Sequence, residues 1–284
     1  MSLDFPGMLV STEWLAPRLG VPDLRVFDAT KFLPNEPRDA LLDYEHGHIP
    51  GARFFDIDLF ADQETDLPHM VPTQGRFARL AGESGIGNGS AVVFYDQRGQ
   101  SSAARGWWLL RLFGHDRVAL LDGGWPAWQR MGGPIETGIP APAAPAVFTP
   151  RPRARLLAGL GDVAAAAADG ALILDARPAA RFSGDAPEPR PGLARGHIPC
   201  SVSLPFTALL DENACFLPRE SLRARFKEAG AGDSRRVITT CGTGVTASIL
   251  AFGLSHAGLC DAAVYDGSWA EWGSLDDTPK ETGP

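Results

Sequence analysis

The chain has 284 residues, long for one hydrophobic core and enough for two. Hydrophobic residues make up 44% and charged residues 21%, as in ordinary globular proteins, and no apolar run is long enough for a membrane span. A formal net charge of -8 argues against a nucleic acid as the main partner, although local residues can still hold a small anion.

At the N-terminus, residues 1–10 lack a basic segment followed by an apolar stretch. No signal peptide is expected, and a cytoplasmic location is. An apolar segment ending in Asp comes next, Val26-Phe27-Asp28-Ala29, and then the motif Gly47-His48-Ile49-Pro50-Gly51-Ala52. Ala91-Val92-Val93-Phe94-Tyr95 reads as a buried strand, and residues 103–113 as a helix stopped by Gly114. Between them lies Asp96-Gln97-Arg98-Gly99-Gln100-Ser101. The first half closes with Leu121-Asp122-Gly123-Gly124-Trp125 and a second Trp at 128.

Residues 134–155 are rich in Pro and Ala and nearly free of apolar periodicity, the composition of a semi-rigid extended linker. The landmarks then return in the same order. Leu172-Ile173-Leu174-Asp175-Ala176 precedes Gly196-His197-Ile198-Pro199-Cys200-Ser201. A strand pattern, Arg236-Val237-Ile238-Thr239-Thr240, leads through a new loop to a helix over 247–256 with Gly258 as its stop. Tyr265-Asp266-Gly267-Ser268-Trp269 follows, again with a second Trp three positions on. Such order marks a tandem duplication. The boundary is placed near Pro145, giving domains of residues 1–145 and 146–284. Alternating strands and helices predict an α/β fold in each: a parallel sheet flanked by helices, with ligands beyond the carboxyl ends of the strands.

The copies differ most where Cys241-Gly242-Thr243-Gly244-Val245-Thr246 replaces the Asp96 loop. A Gly-containing turn into a helix aims successive backbone N–H groups inward and makes an anion-binding nest. A thiol at its mouth is expected to ionise readily and attack as a thiolate. Asp96 is a poor nucleophile towards sulfur, so the first copy reads as disarmed. A buried, inert Cys241 is the bland alternative, and the glycines argue against it. A phosphatase would want an Arg six residues after the Cys, where Ala247 stands. The other cysteines, Cys200, Cys215 and Cys260, form no Cys-x-x-Cys pair and have no His at finger spacing, so neither a zinc site nor a disulfide framework is expected. Cys200, in place of the first-copy Gly51, reads as an inert small residue rather than a redox modulator. His48, His197, Asp28, Asp175, Trp125 and Trp269 recur in both copies and are assigned to the scaffold.

The duplicated Gly-His-Ile-Pro and Asp-Gly-[Gly/Ser]-Trp elements, with a Cys loop in the second copy alone, resemble the rhodanese superfamily of sulfurtransferases over almost the whole chain. Within it, Cys-Gly-Thr-Gly-Val-Thr resembles the mercaptopyruvate-using branch, usually Cys-Gly-Ser-Gly-Val-Thr. Thiosulfate-using members instead carry Cys-Arg-Lys-Gly-Val-Thr. An uncharged loop suits a donor with one carboxylate better than a compact dianion.

The resemblance implies further roles. Arg181 and Arg190, in Arg181-Phe182-Ser183-Gly184 and Pro187-Glu188-Pro189-Arg190, match two substrate-binding arginines, suited to a bidentate grip on carboxylate. His69, Asp58 and Thr243 match a proton relay beside Cys241. Thr243 stands where Ser is common; it keeps the hydroxyl and adds a methyl that restricts its rotation. Gly242, Gly244, Val245 and Thr246 would cradle the persulfide. The implied activity moves sulfur from 3-mercaptopyruvate through a Cys241 persulfide to cyanide or a thiol such as thioredoxin, without metal or cofactor. A thiosulfate sulfurtransferase, or a persulfide-carrying or thiol-sensing binding module, is the alternative.

Overall fold

The computed structural model describes residues 3–232 and 236–283. Among them run two five-stranded sheets whose paired strands are all parallel. The first contains β1 (Leu9–Val10), β2 (Leu24–Asp28), β3 (Arg53–Phe54), β4 (Ala91–Tyr95) and β5 (Val118–Leu121), in the order β1-β5-β4-β2-β3. The second contains β6 (Leu157–Ala158), β7 (Leu172–Asp175), β8 (Ser201–Ser203), β9 (Val237–Thr240) and β10 (Ala263–Tyr265), in the order β6-β10-β9-β7-β8. Adding five to each number of the first order yields the second, so the duplication read from short motifs extends to the topology. The α/β expectation holds for both halves.

Parallel strands need crossover connections, and helices supply them on both faces. The central strands β4 and β9 are buried at every position, which is why their sequences run apolar or β-branched rather than alternating. Each leads through a loop into a ten-residue helix, Ala103–Leu112 or Ala247–His256. These two helices pack on one another across the domain boundary, with Trp107 edge-on to Phe252 at 5.0 Å between ring centroids. That packing buries both helices on nearly all sides, and one apolar cluster runs from Phe94 and Trp107 to Leu174, Cys241 and Phe252. Each such large side chain contributes roughly 1.5–3 kcal/mol on burial. The docking therefore brings the two loops that precede these helices to a shared face.

Residues 134–153 contain no helix or strand and lie along the first domain. The Ala146 N–H donates to the Gly82 carbonyl at 2.9 Å, the Arg151 N–H donates to Phe113 at 2.8 Å, and Phe148 packs edge-on against Phe77. His48 and His197 hold equivalent places in the two copies. Each is stacked on an aromatic ring, Tyr44 or Phe182, and sits with Nδ1 2.9 Å from that residue's carbonyl oxygen. No helix among the described residues is long and apolar enough to cross a membrane.

Candidate active site

Cys241 follows β9 directly and lies at the bottom of a cleft between the domains, 2% exposed. Its loop is clamped from behind. The Cys241 N–H donates to Ser268 Oγ at 3.2 Å, the Trp269 N–H donates to the Cys241 carbonyl at 3.0 Å, and the Ala270 N–H donates to Gly242 at 2.9 Å. Gly244 turns the chain with φ +77°. A Cβ there would lie 2.9 Å from Arg105 Nη1 and 3.0 Å from the Asp266 carbonyl oxygen. Gly244→Ala is therefore expected to lower unfolding stability by about 1–3 kcal/mol through backbone strain and displacement of Arg105. Thermal or urea unfolding checks it; an unchanged midpoint would mean the loop tolerates a side chain.

Among the described residues, the N–H groups of Gly242 to Thr246 donate to no protein acceptor. The first copy shows what such a turn attracts. The Asp96 carboxylate folds into its own loop and accepts from the N–H groups of Arg98, Ser101, Ser102 and Ala103 at 2.8–3.0 Å. One turn is thus filled by its own anion, and its counterpart beside Cys241 is left open for another. A small anion is the guest that such a nest of amides stabilises.

A hydrogen-bonded chain crosses the domain boundary to this loop. Thr243 Oγ1 lies 2.9 Å from His69 Nδ1, and His69 Nε2 lies 3.1 Å from Asp58 Oδ1. Lys31 Nζ donates to the other oxygen, Asp58 Oδ2. The His69 hydrogen bond, together with Lys31, holds the Asp58 carboxyl well below the usual carboxylate range. His69 is 8% exposed, and burial pushes its pKa down, outweighing the upward pull of Asp58. A neutral imidazole beside an ionised carboxylate has one arrangement that satisfies both: Nε2–H donates to Asp58, and Nδ1 accepts the Thr243 hydroxyl proton. His69 is thereby poised as a base towards Thr243.

The arginines differ from one another. Arg181 lies against the loop, its Nη2 at 3.0 Å from where a Gly242 Cβ would be, and its guanidinium is held by Glu188 Oε2. Glu188, its side chain 3% exposed, spends its other oxygen on Arg177 Nη1 at 2.8 Å, and Arg177 pairs with Asp175 at 2.6 Å. Arg190 also lines the cleft, yet among the described residues it forms no hydrogen bond and no ion pair. Partial burial pulls its pKa down, and the guanidinium stays charged. Arg190 is thus left open to an anion in the cleft, with Arg181 already engaged.

Of the residues expected at the site, Cys241, Gly242, Thr243, Val245, Thr246, His69, Arg181 and Arg190 line the cleft. Asp58 stands behind His69, and Gly244 faces away towards Arg105 and Asp266. Sequence reasoning missed Arg105, Glu188 and Lys31 and gave Asp266 no role. Arg105 is fully buried, donates to the His69 carbonyl and pairs with Asp266 Oδ1 at 2.7 Å, while Asp266 Oδ2 accepts the Val71 N–H at 2.6 Å. This pair from opposite domains holds the His69 segment, whose φ of +63° is unusual for a side chain of its size. Arg105, in the first turn of a mostly apolar helix whose other cation, Arg111, lies in its last turn, was the available signal, because a charge there must find a buried partner.

The rhodanese-like domain family matches this chain twice, over residues 11–131 and 160–275. The thiosulfate/3-mercaptopyruvate sulfurtransferase 1 of Arabidopsis thaliana is 40% identical, over 96% of this chain and 78% of its own. Human 3-mercaptopyruvate sulfurtransferase is also 40% identical, over 93% of this chain and 91% of its own. Among solved structures, SseA of Escherichia coli superposes with a TM-score of 0.83 at 35% identity, covering 92% of this chain and 98% of that one.

Proposed function

Because the chain belongs to the rhodanese family, with two rhodanese-like domains in tandem, we propose that it moves sulfur from 3-mercaptopyruvate through a persulfide on Cys241 to a thiol or cyanide, releasing pyruvate. The observation that carries this reading is the continuous chain from Asp58 through His69 to the Thr243 hydroxyl, two residues beyond Cys241.

The substrate carboxylate is met by Arg190, with Arg181 against the loop. The Cys241 thiol loses its proton through Thr243 to His69 Nδ1, and the thiolate attacks the donor sulfur. A new S–S bond forms as the C–S bond breaks, and its electron pair leaves as pyruvate enolate. The proton held on His69 returns through Thr243 to the methylene carbon. The donor's own thiol proton leaves to solvent, and the open loop amides stabilise the persulfide anion that remains. The acceptor's nucleophile then takes the outer sulfur and regenerates Cys241, with a small thiol or a protein dithiol such as thioredoxin in that role. Four free cysteines suit a reducing compartment, and the cytoplasm is the location proposed.

Thiosulfate is the second donor worth testing, because Arg181 brings a guanidinium to an otherwise uncharged loop. Glu188 already neutralises that cation, which favours the monoanionic donor. The test is kcat/KM for 3-mercaptopyruvate and for thiosulfate, side by side, with cyanide as acceptor. The expected result is a strong preference for mercaptopyruvate; a preference for thiosulfate would overturn the donor assignment. In the same assay, Arg190→Ala is expected to lower kcat/KM for mercaptopyruvate about ten- to hundredfold, mostly through KM, the worth of one charge-assisted pair. An unchanged KM would remove Arg190 from substrate binding.

A further inference from the structure

Lys31 belongs to neither the repeated landmarks nor the cysteine loop, yet it lines the cleft beside His69. It follows the end of β2, where its backbone N–H donates to Ser102 Oγ at 3.0 Å. That bond ties it to the segment entering the helix Ala103–Leu112, and Nζ reaches Asp58 Oδ2 while Asp58 Oδ1 faces His69 Nε2. The Asp58 side chain is 53% exposed. Its only described contact with the buried relay is through one oxygen, and an exposed carboxylate can turn away into water. An ion pair this open contributes little to stability, so its position on the relay calls for another account.

We propose that Lys31 is a positioning residue for the proton relay: by engaging the outer oxygen of Asp58 it turns the inner oxygen onto His69 Nε2–H, and its charge offsets that of the carboxylate beside the imidazole. Asp58 pulls the ring towards imidazolium, in which both ring nitrogens are donors and Nδ1 can no longer accept from Thr243, and Lys31 adds to the burial that opposes this pull. The carboxylate is needed for orientation, and its field works against the base it orients. A cation on the far oxygen keeps the orientation and cancels part of the field. The other charged groups around His69 act in opposite directions. Arg105, from the first-domain helix, and Lys31 both oppose protonation, and Asp58 favours it. Arg105 is itself balanced by Asp266. On the cleft side, Arg190 lies within electrostatic range of both Asp58 and Cys241.

The assignment deepens the sulfurtransferase reading and rests on it for activity alone, so the decisive readout is the imidazole itself. His69 would be titrated by NMR in the wild type, Lys31→Met and Lys31→Arg at low ionic strength, with the His69 signal identified by its loss in His69→Asn. In Lys31→Met the His69 pKa is expected to rise by about half a unit to one unit, with Lys31→Arg returning it towards wild type. The acidic limb of kcat/KM for mercaptopyruvate should move to higher pH with it. Removing the shift with added salt would agree with a charge at this exposure. A His69 titration that is the same in Lys31→Met and wild type would overturn the proposal, whatever the substrate. A shifted titration in a protein that does not use mercaptopyruvate would support the role of Lys31 and overturn the donor assignment instead.

Discussion

Replacing Cys241 with serine is expected to reduce sulfur transfer by at least about four orders of magnitude while leaving the fold intact. The side chain is 2% exposed within the apolar cluster, and serine is smaller, so the core accepts it. The backbone bonds from Trp269 and to Ser268 involve main-chain atoms of residue 241 and survive the change. What is lost is the sulfur. A serine hydroxyl is far less acidic than a thiol and cannot carry a persulfide, so no sulfur can be parked between donor and acceptor. Steady-state rates with mercaptopyruvate and cyanide, beside the unfolding midpoint, check this. Appreciable turnover in a folded Cys241→Ser protein would require another carrier, and Cys200, the one exposed cysteine, would be the first to examine.

The second large effect is on stability. Arg105→Leu removes one half of a fully buried ion pair and leaves Asp266 with a charge that, among the described residues, only the Val71 N–H still meets. Breaking a buried pair on one side costs about 3–5 kcal/mol, far more than losing a surface pair. It also takes a donor from the carbonyls of His69 and Gly244, the second of which keeps the Ser248 hydroxyl at 2.9 Å. A large drop in the urea midpoint is therefore expected, with a fall in activity as the His69 segment relaxes. Arg105→Leu combined with Asp266→Asn should recover part of the stability, because the stranded charge is gone. A single variant as stable as wild type would show that the pair does not hold the domains together.

The elements most legible in the sequence were those set by local pattern. The apolar run Ala91–Tyr95 is strand β4, and the helix after the cysteine loop runs Ala247–His256, as its periodicity and the following Gly258 indicate. Cys241 was legible because duplication supplies its own control, with Asp96 at the matching position. The relay was visible only through family resemblance: His69 and Thr243 are 174 positions apart, and nothing in their local sequence announces a contact. Arg105 and Asp266, 161 positions apart, lay beyond both kinds of reasoning, because their pairing depends on how the two domains dock. The inequality of Arg181 and Arg190 was hidden for another reason, the way one segment of the second domain folds back on itself. It turns on Glu188, which sits two residues before Arg190 yet bonds to Arg177 and Arg181.

The most direct test of the central claim is a mass measurement of the Cys241 peptide after the protein meets 3-mercaptopyruvate without any acceptor. One added sulfur atom on that peptide is expected, removable by cyanide and accompanied by one equivalent of pyruvate per chain. Pyruvate released with no sulfur on Cys241, or sulfur found on another cysteine, would contradict it.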